Sequence, residues 1–369
     1  MEPQCPYFRN CGGCTSQHID YSKQLENKKQ QLASTLDYQD IKVFCASPYA
    51  YRNRMDFIFH EKGLGLRRMK NWKSIIDVEH CPIANNKINE LLQEVRSHMR
   101  GISAFNPLKK EGMFRYALIR ATKEDTAISF VINEDASGKD AAISFIKEYA
   151  NVSRANHIMA AFVAKDSDMS TSDNAVLIKG SELMEESLLG KTFYFPIQGF
   201  FQNNTAMAEM MQEYCSSLLK KYPTQGAHLL DLYGGVGTFG VLNAGLFQRV
   251  HIIEEYPAAV ECAKKNAKIN NAQNAEAICI DAKSINKLRL PKPLLVITDP
   301  PRSGMHPKAI QYLNAYEPEV IIYISCNIQQ LKKELPKFKN YQIRSAALFD
   351  LFPQTPHSEA VVELVRKEN

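Results

Sequence analysis

A run of β-branched and apolar residues, Val320 to Ile324, breaks off at Ser325-Cys326-Asn327. A cysteine placed there can simply pack, since free cysteine is among the most buried side chains. It can also react, because a thiolate at a strand end is a nucleophile if a crevice opens beside it. A carboxylate that could work with it stands near the C-terminus, Glu359 in "LFPQTPHSEAVVEL". A second set of sulfurs lies at the other end of the chain: Cys5, Cys11 and Cys14 in "CPYFRNCGGC", and Cys81 in "VEHCPIA". Gly12-Gly13 lets the backbone fold tightly around a metal-bound sulfur. Three or four thiolates suit zinc or an iron–sulfur cluster, and the spacing does not separate the two. Cys45, Cys215, Cys262 and Cys279 have no base or partner at motif spacing and are expected to pack.

The elements that must position the reactive pair follow residue 196, where strands and helices alternate. "GAHLLDL", "RVHIIE", "AEAICI", "LLVITD" and "EVIIYIS" read as strands, and "PAAVECAKKNAKIN" as a helix with Pro257 near its first turn. This alternation predicts a doubly wound parallel sheet, whose ligands sit beyond the carboxyl ends of the strands. Asp231, Glu254, Asp281, Asp299 and Cys326 all fall at or just past such ends. The first strand runs into "DLYGGVGTFG", a close-approach glycine turn. Glu254, 23 residues after Asp231, stands where an acid grips ribose hydroxyls. There is no Walker lysine and no full dinucleotide fingerprint. An adenosine ligand without a phosphate chain fits, and S-adenosylmethionine is the commonest. Asp281 could then accept from the adenine amino group.

In that crevice Cys326 has a task. Carbon 5 of uracil is a poor nucleophile, but a thiolate adding to carbon 6 makes it an enolate able to attack a sulfonium methyl. A base must then take the carbon 5 proton, the task open to Glu359. In "TDPPRSG", Arg302 replaces the aromatic that amine methyltransferases use to clamp a base, which favours a site with a developing oxyanion.

The remainder of the chain sets the context. Its 369 residues are too many for one ordinary core, so two or three domains are expected. Residues 21–36 have a helical, charged composition, and residues 50 to 195 read as short strands and hairpins with helices between. No apolar run reaches the roughly 18 to 20 residues of a membrane helix, and the N-terminus lacks the order of a signal peptide. The cytoplasm, and reduced cysteines, are the expectation. Net charge is +5, with an excess of about seven positive charges in residues 1–120. Arg52, Arg54, Arg67, Arg68, Lys70 and Lys73 interleave there with Tyr51, Phe57, Phe59 and Trp72. Such a stretch is either a solvated basic face or a surface that tracks phosphates.

Over nearly its whole length the chain resembles the RNA uracil-5-methyltransferase family, which makes 5-methyluridine in tRNA and 23S rRNA. The resemblance rests on "CPYFRNCGGC" with Cys81, "FFQNN", "LDLYGGVGTFG", "TDPPRSG", "YISCN" and "FPQTPHSEAV". It implies that Cys5, Cys11, Cys14 and Cys81 hold a [4Fe-4S] cluster. It implies that Gln202, Tyr233, Thr238, Glu254, Asp281 and Asp299 hold S-adenosylmethionine. Cys326 matches the nucleophile and Glu359 the base. The implied organisation is an iron–sulfur segment over 1–45, a smaller α+β RNA-binding domain over 46–195, and a Rossmann-like α/β methyltransferase domain over 196–369. A monomer acting on structured RNA is expected, without a membrane or an obligate protein partner. Two features depart from the family. Gly234 stands where members often carry cysteine, and the cluster cysteines begin at residue 5, where some relatives have an additional N-terminal RNA-binding barrel. RNA binding is therefore expected of the central domain. A cytosine-5-methyltransferase would use the same thiolate logic, but with Pro-Cys or Thr-Cys rather than "ISCN". A metal-stapled RNA-binding protein with an idle cofactor fold would not need Cys326 and Glu359.

Overall fold

The apolar runs of the C-terminal half become one eight-stranded sheet in the computed structural model, which describes residues 2–367. The order across the sheet is Ile41–Phe44, Tyr341–Phe349, Glu359–Arg366, Val320–Ser325, Leu294–Thr298, His228–Leu232, Arg249–Glu254 and Ala275–Cys279. Neighbours run parallel except that Glu359–Arg366 is antiparallel to both of its own. Val320–Ser325 is buried at every position, as expected of a strand with helices on both faces. Helix Thr205–Leu219 joins Pro257–Ile269, the one of these helices that the sequence reading named, and Pro307–Tyr316. The last two carry Pro at their first turn, where its missing N–H has no intrahelical partner to lose.

The chain divides into two compact units: Met1–Tyr21 with Ser47–Glu186 and Pro196–Asn204, and Ser22–Ala46 with Ser187–Phe195 and Thr205–Asn369. This differs from the contiguous division at 45 and 195. Residues 22–46 do not stay with the cysteines that precede them. Ile41–Phe44 adds a parallel strand beside Tyr341–Phe349, and Phe44 stacks on Phe349 with ring centroids 4.5 Å apart. From helix Tyr21–Leu36, Lys28 makes a buried 2.6 Å ion pair with Asp350. Its ammonium sits in a dry site, so burial pulls it below the ordinary lysine range.

The other unit is built on a seven-stranded mixed sheet in the order Asn71–Asp77, Gly63–Arg68, Arg54–His60, Phe114–Ala121, Thr126–Asn133, His157–Val163 and Ala175–Lys179. The hairpins expected from "MDFIFHEKGLGLRR" and "FRYALIRATKEDTAISFVIN" both form. Helices Asn86–His98 and Lys139–Val152 supply Ile88, Leu92 and Ile146 to its core, against Phe57, Phe59 and Phe130. Among the described residues no helix is long and apolar enough to cross a membrane.

Candidate active site and cysteine cavity

The reactive edge is the carboxyl end of the eight-stranded sheet. Val320–Ser325 pairs with Glu359–Arg366 up to Ser325 opposite Ala360. One step beyond that pair stand Cys326 and Glu359. The thiol is pushed up to about 11, by burial first and then by the nearby carboxylates of Glu359 and Asp299, while Arg302 acts in the opposite direction. Glu359 is itself buried, and desolvation with Asp299 close by raises its carboxyl well above the ordinary glutamate range. Asp299, just past Leu294–Thr298, is raised to about 7 by burial. Three acidic groups that cannot all be charged in a dry site thus act on one another.

The loops here are tied to one another. The Asn327 side chain caps helix Ile328–Glu334, accepting from the Gln330 N–H at 3.2 Å, and its Nδ2 donates to the Arg302 carbonyl at 3.1 Å. This fixes the "DPPRSG" loop against the strand end that carries Cys326. Glu334, fully buried, accepts from the Tyr323 hydroxyl and from the Met305 N–H. Gly304 has to be glycine, since its φ is +86° and a Cβ there would come within 2.1 Å of Glu334 Oε1. The loop before Glu359 is held from the N-terminal side of the unit, by Lys28 on Asp350 and by Gln24 on Gln354 at 3.0 Å.

The glycine turn continues the same edge. Tyr233 adopts a left-handed φ of +62°, a strained conformation of the kind found at functional sites. Its hydroxyl accepts from the His306 N–H at 3.1 Å, and burial pushes it up to about 12. Glu254 accepts from the N–H groups of Gly235 at 3.0 Å and of Glu255 and Tyr256 at 2.9 Å. A carboxylate has about four lone-pair positions, so capacity for a ligand hydroxyl remains. Asp281 caps the turn Ala282–Lys287, and its hydrogen bonds from Lys283 hold it below the usual aspartate range. Thr238 begins helix Thr238–Asn243, and its hydroxyl accepts from Gln212 at 3.0 Å. A Cβ on Gly234 would lie 2.6 Å from an Ile252 methyl, so a side chain there would have to displace Ile252.

The sheet edge therefore carries Tyr233, Thr238, Glu254, Asp281, Asp299, Cys326 and Glu359. Asp231 does not join them. It is buried beneath the turn, accepts from the Gly240 N–H at 2.8 Å, and is raised to about 7 by desolvation. Gln202 lies in the other unit, where its carbonyl accepts from Asn53 at 2.9 Å. Sequence reasoning missed Asn327 and Glu334. Asn327 is legible as the cap residue after "ISC", whereas nothing local marks Glu334.

Cys5, Cys11, Cys14 and Cys81 line one cavity of about 870 Å³ in the seven-stranded unit. Cys11, Cys14 and Cys81 are buried. Burial first, with the other sulfurs adding, pushes Cys14 up to about 12, and burial likewise pushes Cys81 up to about 11. Among the described residues, however, no three His, Cys, Asp or Glu side chains close on a point as the ligands of a single metal ion. Of the remaining cysteines, Cys215 and Cys262 are buried as expected, but Cys45 and Cys279 are exposed. Those two lie near the ends of edge strands, where little covers them.

A parallel sheet with one antiparallel strand inserted beside its fifth, a glycine turn after its first and an acid closing its second defines an α/β methyltransferase fold. The tRNA (uracil-5-)-methyltransferase family model matches residues 20–367. The tRNA (uracil(54)-C(5))-methyltransferase of Pyrococcus abyssi is 32% identical over 98% of this chain and 86% of its own. An uncharacterized RNA methyltransferase of Clostridium tetani is 31% identical over 100% of this chain and 85% of its own. The crystal structure of the Pyrococcus abyssi enzyme in complex with S-adenosyl-L-homocysteine superposes with a TM-score of 0.81 at 30% identity, over 96% of this chain and 86% of that one. The chain belongs to the tRNA (uracil-5-)-methyltransferase family, and so is an RNA methyltransferase.

Proposed function

We propose that this protein methylates carbon 5 of a uridine in structured RNA, with tRNA the favoured substrate, through a covalent bond between Cys326 and the uracil ring. The observation that carries the reading is the placement of Cys326 and Glu359, one step beyond the last pair of an antiparallel ladder. The relatives named for tRNA favour that RNA over 23S rRNA.

S-adenosylmethionine supplies the methyl group on a sulfonium that accepts an electron pair. Tyr233, Thr238, Glu254, Asp281 and Asp299 would hold it along the sheet edge; this set, and the match of Gln202 to it, rests on the family's motifs. Cys326, once it has lost its proton to water, adds to carbon 6 of the uracil. The electron pair moves to carbon 5 and oxygen 4, and carbon 5 takes the methyl group. Glu359 then removes the carbon 5 proton, the carbon 5–carbon 6 double bond re-forms, and the thiolate leaves. A carboxylate raised above the ordinary glutamate range by a dry site takes up a proton more readily than an exposed one.

Cys5, Cys11, Cys14 and Cys81 fit a [4Fe-4S] cluster. They share one cavity, and they are all-sulfur donors, three of them buried, where the charge of the irons would stabilise their thiolates. Its part is to hold the segment around those sulfurs, and no reaction step passes through it. The deciding experiment gives the purified protein unmodified tRNA and 23S rRNA transcripts with methyl-labelled S-adenosylmethionine, followed by nucleoside analysis. Label in 5-methyluridine from tRNA is expected; label in 5-methylcytidine, or none in either RNA, overturns the reading.

A further inference from the structure

Trp72 is the chain's one tryptophan, and it is 50% exposed on strand Asn71–Asp77. Its ring is framed by cations. The Arg67 guanidinium and the Lys73 ammonium each lie 5.7 Å from the indole centroid. Arg67 is held in place, donating to the Trp72 carbonyl and to the Tyr116 hydroxyl, both at 3.2 Å. Its one acidic neighbour, Asp168 at 3.9 Å, is largely exposed. Across the same cavity of about 490 Å³, the Arg115 guanidinium stacks 4.1 Å from the Phe105 centroid. A half-exposed flat ring with two cations 5.7 Å from its centroid combines the two features that recognise a nucleotide without reading its sequence: an aromatic surface for the base and charge for its phosphate.

We infer that the hairpin formed by Gly63–Arg68 and Asn71–Asp77 is a stacking site for an unpaired base of the RNA, with Trp72 as the platform and Arg67 and Lys73 on the adjoining phosphates. This rests on the proposed RNA substrate and adds where and how one of its nucleotides is held. A paired helix hides the faces of its bases and offers the site only phosphates. A protein partner would meet a ring surrounded by charge rather than by further apolar surface. A single-stranded stretch satisfies both halves of the site.

Because Trp72 is alone, its intrinsic fluorescence reports on this site directly. Short single-stranded RNA should quench it. A blunt RNA duplex and polyphosphate, brought to equal occupancy, should not. In a binding titration with labelled single-stranded RNA, Trp72→Ala should weaken affinity about tenfold and leave the salt dependence unaltered. Arg67→Ala with Lys73→Ala should flatten the salt dependence. Trp72→Phe should restore most of the affinity, which separates stacking from misfolding. Equal quenching by polyphosphate, absence of quenching by single-stranded RNA, or wild-type affinity in Trp72→Ala each overturns the proposal. Quenching that persists in a protein forming no 5-methyluridine supports this site while striking the proposed reaction. Conversely, 5-methyluridine formed by a protein whose Trp72 does not respond overturns this site alone.

Discussion

Cys326 and Glu359 face each other across the mouth of an antiparallel pair, one position beyond Ser325 and Ala360. Only this strand of the eight-stranded sheet, among the described residues, runs antiparallel to its neighbours. Its reversal matters for the chemistry. In a parallel sheet the first residue of a strand lies at the opposite end from a neighbour's last. Turning Glu359–Arg366 round brings its first residue to the edge where Val320–Ser325 ends.

That relationship predicts an asymmetry between two variants. Cys326→Ala should form no adduct and transfer no methyl group, while cofactor binding persists. Glu359→Gln should attack and methylate, then stall before the proton is removed. On a denaturing gel it should leave a slow, methyl-labelled protein–RNA band, absent from the double variant. A wild-type rate in Cys326→Ala would return that residue to packing.

The acids beneath and beside the site should make stability depend on pH. Asp231 and Asp299 are raised to about 7 in the folded protein, against about 3.9 in an unfolded chain. Between these values the folded state binds more protons, so this contribution is full below about pH 4 and is lost as pH rises through about 7. Melting temperatures of the cofactor-free protein should show that component falling across the window. Asp231→Asn and Asp299→Asn should each reduce the fall. If both variants track the wild type, neither carboxyl is raised.

Much of the sheet could be read from the sequence, because fully buried strands and intervening helices leave a local signature of length and apolarity. Val320–Ser325 is such a case, and so are the glycine turn and the acid at Glu254. What could not be read was pairing over long separations. Helix Tyr21–Leu36 was legible as a helix, but nothing in its composition says that Lys28 meets Asp350, 322 residues away. Asp231 looked like its neighbours on other strands, yet its side chain turns inward to Gly240, a direction that strand position alone does not give. The four cysteines were legible as a group. Their number and spacing say nothing of the hairpin to which Asn10 and Gly12, on either side of Cys11, are hydrogen-bonded.

The Lys28–Asp350 pair predicts a coupled response. Both partners are buried, so removing one strands the other's charge, at a cost of about 3–5 kcal/mol. Lys28→Met should therefore lower the midpoint of urea unfolding sharply. Lys28→Met with Asp350→Leu should recover most of the loss, since a well-packed apolar pair can replace a buried ion pair. Additive losses in the double variant would show that the two residues are not coupled.

The cysteine segment makes the last prediction. Prepared without oxygen, the protein should be brown and hold about four irons with acid-labile sulfide, as four thiolates on a cubane require. The segment also touches the hairpin that carries Trp72. The Gly12 N–H donates to the Arg67 carbonyl at 3.0 Å, and the Met69 N–H to the Asn10 carbonyl at 2.8 Å. Those two bonds sit on the ten-residue stretch that runs from Cys5 to Cys14, so the proposed cluster on its sulfurs would hold one side of them. Oxidative loss of the cluster, or Cys14→Ser, should speed hydrogen exchange at the Gly12 and Met69 amides. The Gly235 and Gly240 amides, held by Glu254 and Asp231 in the other unit, should keep their protection. RNA affinity should then fall while cofactor affinity holds. Protein carrying one zinc and no sulfide would remove the cluster, and uniform loss of protection in both units would mean that the sulfurs support the whole fold rather than this hairpin.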